Sequence, residues 1–268
     1  MKTKSIVGFV LASYAISWLV WWPLASRGGA APDSAFRYLH LLGGLGPAVA
    51  GFLAVRVVDG PDGVRRLAGR LMRWRVGAAW HAVAWLLPVA LLCIAVLVAR
   101  VIFDDTQPVH FDRSTEYPNL PMPIYWLVSI IAYGFGEETG WRGVLLPRLQ
   151  AGRRSLTAAV IVSIIWAGWH LPLFWFAPGM SRMGGPEIAG WYASILTASV
   201  LFTWIFNATG GSVLIAAVFH GAMDVAFLAS GPELLPTILG GLITLLGLAI
   251  LIRFGPGSLA ARPKITDP

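Results

Sequence analysis

Residues 123–150 read PIYWLVSIIAYGFGEETGWRGVLLPRLQ. The run exceeds the roughly 20 residues a helix needs to cross a bilayer, yet Glu137, Glu138 and Arg142 sit near its middle. Ionisable groups at the centre of a span cost about 2.5–3.5 kcal/mol each even on lenient insertion scales. Two further apolar runs carry one histidine each, His170 and His220, and Asp224 lies one turn past the second. Polar groups kept at that cost point to a catalytic or ion-handling site inside the membrane.

The rest of the chain agrees with a membrane setting. Of 268 residues, 57% are hydrophobic and 12% charged, with a mean hydropathy of +0.70. A soluble domain carries about 25% charged residues. The apolar runs suit helices, being too long for barrel strands of about 9–11 residues. The expected fold is therefore all-α: one polytopic helical bundle over residues 1–268. The 13 tryptophans suit interfacial belts. The net charge of +7 is clustered, so it reads as topology and not as nucleic-acid binding. Cys93 is the only cysteine, which excludes an intramolecular disulfide and a cysteine metal cluster. The first run starts after Lys2 and Lys4 like a signal peptide, but its length makes it a retained span.

Eight spans are expected, at about 5–25, 37–57, 78–103, 123–150, 155–176, 189–206, 211–229 and 234–252. Arg56, Arg65, Arg66, Arg70, Arg73 and Arg75 fall between the second and third. Arg148, Arg153 and Arg154 follow the fourth, and Arg253, Arg262 and Lys264 lie in the tail. The loop after the third span carries Asp104, Asp105, Asp112 and Glu116. By the positive-inside rule both termini are cytoplasmic, and the cell membrane is the expected location. Val64 to Arg75 reads as a basic amphipathic helix anchored on that surface.

Spacing assigns roles within the polar set. Glu138 and Arg142 are four apart, so they share a helix face and pair. Glu137 points about 100° away and is left to act as a general base. Gly136 and Gly140 form a small-xxx-small pair that admits a close neighbour. Trp166 and His170 share a face, and Pro172 bends the chain just past the histidine. His220 and Asp224 share a face, where the carboxylate orients the imidazole or joins it in holding a metal. Counted from the cytoplasmic ends of their spans, Glu137, His170 and His220 lie roughly 14–23 Å deep, so they can converge on one pocket. His40, His81 and His110 are expected to stand apart, at interfaces or in solvent.

The ordered set resembles the CAAX-protease and bacteriocin-immunity family of intramembrane proteases, whose pattern is EExxxR, FxxxH and HxxxN or HxxxD on separate helices. Glu137, Glu138 and Arg142 match the first motif. His170 matches the second, with Trp166 in place of Phe. His220 and Asp224 match the third in its Asp form. The likeness covers about residues 123–230, and Gly46-Pro47 also looks like the family. The resemblance implies an endopeptidase acting at the cytoplasmic side of the membrane on membrane proteins or lipidated peptides. In eukaryotic members the substrate is a prenylated CAAX tail. It implies Glu137, Glu138, Arg142, His170, His220 and Asp224 as site residues.

Two versions of the chemistry stay open on the sequence. In one, Glu137 and His170 activate a water without metal. In the other, Zn2+ is held by His170, His220, Glu137 and Asp224. The rival class is a non-catalytic transporter or scaffold built on the same polar cluster. A transporter would show inverted repeats and paired broken helices, and neither is visible.

Overall fold

The computed structural model describes residues 3–29, 35–114, 116–117 and 119–267. Among the described residues, thirteen α-helical segments carry the fold. They are α1 (Thr3–Ala25), α2 (Leu39–Gly44), α3 (Gly46–Val58), α4 (Gly60–Leu71), α5 (Ala78–Ile102), α6 (Met122–Ser129), α7 (Gly136–Gly140), α8 (Leu146–Gly152), α9 (Ser155–Trp169), α10 (Leu173–Phe176), α11 (Gly185–Ala208), α12 (Val213–Phe227) and α13 (Leu235–Ser258). The expected all-α membrane fold is what forms. Its one strand pairing among the described residues is a short antiparallel tie between β1 (His110–Ser114) and β2 (Ala229–Ser230).

Among the described residues, six helical stretches are long and apolar enough to cross a membrane: Lys4–Ala25, Ala35–Val58, Ala78–Ile102, Ser155–Phe176, Gly185–Ala208 and Leu235–Ser258. The other two of the eight expected spans are the unusual ones. The fourth is the run from Met122 to Gly152, which carries the charges and is broken by two π-helical stretches, Ile130–Phe135 and Trp141–Leu145. The seventh, α12, has only 15 residues, or about 22 Å, less than the roughly 30 Å of hydrocarbon. Both are wrapped by the longer helices, so their polar groups meet protein and not acyl chains.

Glycines set how closely the wrapping helices approach. A Cβ on Gly136 would lie 2.5 Å from the Gly44 carbonyl oxygen, and one on Gly140 would lie 2.7 Å from that of Pro47. The Gly136/Gly140 face is thus the seat of α2 and α3. On the opposite flank, a Cβ on Gly134 would meet the Ala217 carbonyl oxygen at 2.2 Å, and one on Gly221 the Ile130 Cα at 2.6 Å. The charged helix is clamped between α3 and α12 with no room for a methyl group.

The basic segment departs from expectation. Its helix ends at Leu71, short of Arg75, and it does not simply float on the lipid surface. Leu67 is buried and sits under Gly143. Arg70 donates to the Gly143 carbonyl at 2.8 Å and forks onto Asp267 at 2.8 and 2.7 Å. Arg148 bonds Asp59. Gln150 donates to Asn207 at 3.1 Å and to the Ile265 carbonyl at 2.8 Å. Together α4 and the C-terminal tail close the arginine-rich end of the bundle.

Candidate active site

The π-helical turns flank the acidic pair and set its geometry. Extra residues in a helical turn rotate the next turn about the axis and recur at functional sites. Glu138 turns toward Arg142, which donates from Nη1 at 2.9 Å, and both are fully buried. The same Glu138 Oε1 meets His220 Nδ1 at 2.8 Å. Arg142 is also roofed by aromatic rings, with its guanidinium carbon 4.7 Å from the Trp166 ring centre and 4.4 Å from that of Phe202. Weakly hydrated guanidinium tolerates such a setting better than an ammonium.

Glu137 points elsewhere, as the 100° offset predicts. Its Oε2 accepts from the Trp166 indole N–H. Trp166 therefore does more than replace a phenylalanine in shape, because it supplies a donor. Its ring packs against both imidazoles, with centroids 5.7 Å from His170 and 5.6 Å from His220.

The chain bends after His170 as Pro172 requires: α9 ends at Trp169 and α10 starts at Leu173. The carbonyls near the bend do not need the pocket. Leu171 N–H takes that of Gly168 at 3.2 Å, Trp18 Nε1 takes that of Trp169 at 2.9 Å, and the Tyr14 hydroxyl takes that of Ile165. His170 Nδ1 lies 2.7 Å from the Trp166 carbonyl oxygen. A carbonyl only accepts, so Nδ1 carries the proton and Nε2 keeps a lone pair.

His220 Nε2 lies 3.7 Å from Asp224 Oδ2, too far for a hydrogen bond. Asp224 Oδ2 is buried without a hydrogen-bond partner, as are Glu138 Oε2 and Arg142 Nη2. Buried polar atoms left open in this way mark places where a water or substrate can bond.

A cavity of about 550 Å³ joins these groups, with Glu137, Trp166, His170, His220 and Asp224 all in its wall. The fourth, fifth and seventh expected spans (the charged run, α9 and α12) thus bring their polar side chains to one chamber. Glu138 and Arg142 stand behind the wall and support it. His40, expected to stand apart, also lines the cavity; it is buried and paired with Glu116. Tyr133 lines it too, with its hydroxyl 2.8 Å from that of Tyr117. Burial first, then the neighbouring Glu116 carboxylate, pushes the Tyr117 phenol in the loop well above its usual range. Tyr133 was open to detection, being four residues before Glu137 on the same helix. His40 carries no such signal, because only the tertiary fold brings the start of the second span against the loop at Glu116.

The donor set does not match the needs of a metal ion. Among the described residues, no three His, Cys, Asp or Glu side chains gather as ligands. Glu137 is engaged by an indole N–H, and His220 is turned by one nitrogen onto Glu138. The four groups named from sequence share a chamber but do not form a ligand shell in this arrangement.

Comparison with known proteins adds to this geometry. Residues 119–226 match the family model described as type II CAAX prenyl endopeptidase Rce1-like. The chain is 22% identical over 219 residues to CAAX prenyl protease 2 of Methanococcus maripaludis, covering 79% of this chain and 80% of that protein. The matched segment spans all three motifs and the helices that place them around the cavity. Over residues 119–226, which hold all three motifs, this helical membrane protein is thus similar to the type II CAAX prenyl endopeptidases.

Proposed function

We propose that the protein is an intramembrane endopeptidase in which Glu137 activates a water for attack on a peptide carbonyl. The observation that carries this reading is the pairing of two acceptors in one cavity wall: the Glu137 carboxylate and the lone pair on His170 Nε2. A water between them loses a proton as it attacks. Trp166 holds Glu137 in place through its N–H. His220, tied to Glu138 through Nδ1, turns Nε2 toward the cavity beside Asp224. A proton on that nitrogen stabilises the developing oxyanion, and the same proton can pass to the leaving amine. Arg142 and Glu138 set the orientation of His220 without touching the substrate.

The donor geometry favours the metal-free version. A divalent ion would supply Lewis-acid polarisation of the carbonyl, and His170, His220, Glu137 and Asp224 are the groups that would need to regroup to hold it. The substrate is a membrane protein or lipid-anchored peptide, CAAX-type prenylated tails included, and the protein sits in the cell membrane with its termini in the cytoplasm.

The test is peptide hydrolysis by purified protein in lipid nanodiscs, using lipid-anchored fluorogenic peptides. Glu137→Ala and His170→Ala are each expected to lower the rate by at least about 100-fold. Full cleavage by Glu137→Ala ends the general-base role. Substrate uptake without cleavage in the wild type would favour a transporter. Metal analysis on the same sample separates the two chemistries: activity that survives chelation with well under one metal per chain removes the zinc version.

A further inference from the structure

We propose that Arg70, fixed by Asp267, is a positioning residue for the chamber: it holds the π-helical turn Trp141–Leu145 in place and, through Arg142 and Glu138, sets the orientation of His220. Its consequence for catalysis rests on the endopeptidase reading, while the mechanical link stands on the geometry. Arg70 and Asp267 are outside the cavity wall, so neither reaches a substrate bound there. Any effect they have passes through the helix between.

The link begins with a proline. In an α-helix the Gly143 carbonyl would accept from the N–H four residues on, but that residue is Pro147 and has none. Gly143 lies inside the π-helical turn, directly after Arg142. Arg70 Nη1 reaches its carbonyl from α4 at 2.8 Å. The absence of a side chain on Gly143 lets α4 come this close, since a Cβ there would lie 2.8 Å from Leu67 Cδ1. The next carbonyl, that of Val144, accepts from Arg148 Nη1 at 3.0 Å. Asp267 gathers both guanidinium groups. It accepts from Arg70 at 2.8 and 2.7 Å, and its Oδ2 lies 3.7 Å from Arg148 Nη1. Its own N–H donates to the Pro147 carbonyl at 3.2 Å. The Arg70 and Asp267 side chains are only 12% and 9% exposed, so water competes little for these bonds.

From the turn the link runs into the site. Arg142 Nη1 donates to Glu138 Oε1 at 2.9 Å, and the same oxygen meets His220 Nδ1 at 2.8 Å. The partner helix is held from the same support. Ser212, the N-cap of α12, donates to the Arg73 carbonyl at 2.7 Å and accepts from the Ile215 N–H at 3.2 Å. Arg70 and Arg73 thus fix, three residues apart, the turn behind Arg142 and the start of the helix that carries His220. The Glu138–His220 bond spans those two helices and keeps its geometry only while both are held relative to each other. A misplacement of about 1 Å arising far from the chemistry can cost about 100-fold in rate.

The experiment compares Arg70→Met, Arg70→Lys and Asp267→Asn with the wild type in lipid nanodiscs, below the unfolding temperature of every variant. With a lipid-anchored fluorogenic peptide, Arg70→Met should lower kcat by about tenfold or more. KM should change by less than about twofold, because the chamber wall is intact. Arg70→Lys keeps a charged donor and should recover part of the loss, and Asp267→Asn should fall between Arg70→Met and the wild type. Amide hydrogen exchange reads the same link without substrate. In Arg70→Met, residues 136–146 should exchange faster by about tenfold or more while α1 exchanges as in the wild type. Wild-type kcat in Arg70→Met, or exchange that is unchanged or raised equally in both regions, overturns the proposal. If Arg70→Met does not accumulate as folded protein, Asp267→Asn decides by the same two readings. A wild type that cleaves no peptide sinks the endopeptidase reading, and exchange alone then decides the link.

Discussion

At the residue scale, the two adjacent glutamates divide the work, and the division gives opposite outcomes on substitution. Glu137 faces the cavity and touches one indole N–H. Glu137→Gln keeps an acceptor for Trp166, so we expect hydrolysis to fall by about 100-fold or more with little change in thermal unfolding. Arg142 is different, because its loss strands Glu138 in the protein interior. Removing one partner of a buried pair costs roughly 3–5 kcal/mol, so Arg142→Met should unfold at much lower temperature. The double variant Glu138→Gln/Arg142→Met should regain most of that loss, since no uncompensated charge remains. Thermal unfolding in detergent measures all three. If Arg142→Met melts like the wild type, the pair is not a structural support.

At the element scale, the charged helix shows what patterning can and cannot reveal. Spacing of four residues was enough to pair Glu138 with Arg142 and to separate Glu137, because local geometry dominates there. The π-helical stretches at 130–135 and 141–145 have no such signal, since an extra residue per turn depends on neighbours that sequence spacing does not show. His40 was misplaced for the same reason: its partner Glu116 is 76 residues away. The glycines were legible as a close-packing face, but not which helix they meet. Gly140→Ala places a methyl 2.6 Å from the Pro47 Cβ and 2.7 Å from its carbonyl oxygen. Backbone cannot step aside cheaply in a close-packed interior, so this variant should fail to accumulate as folded protein. Gly152→Ala, with nothing within 4 Å of the added methyl, should behave like the wild type. Size-exclusion profiles of the two variants compare them directly. A monodisperse, active Gly140→Ala protein would show that α3 does not seat on this face.

At the scale of the whole molecule, the bundle is a chamber open at one end and fastened at the other, and the fastening should depend on pH. The six long apolar spans and the clustering of arginines were readable because hydrophobic length and loop charge are local properties. The use of those arginines as a clasp was not, because Asp267 sits 197 residues from Arg70. Burial works against ionisation of Asp267, but the hydrogen bonds and charge of Arg70, with Arg148 behind, hold its carboxyl below the usual carboxylate range. A lowered pKa in the folded state means that the clasp contributes fully above the unfolded value, near pH 4, and fades as pH falls through the folded one. At neutral pH the wild type should therefore be more stable than Asp267→Asn, which leaves Arg70 without its carboxylate, by roughly 3–5 kcal/mol if the pair behaves as a buried one. As pH falls below about 4 the gap should narrow, because protonated Asp267 resembles the amide. Unfolding curves of the two proteins across that range test the clasp. A gap that stays constant down to the lowest pH would mean that the tail is held by the Gln150, Asn207 and Ile265 contacts and that the ion pair adds nothing to the closure.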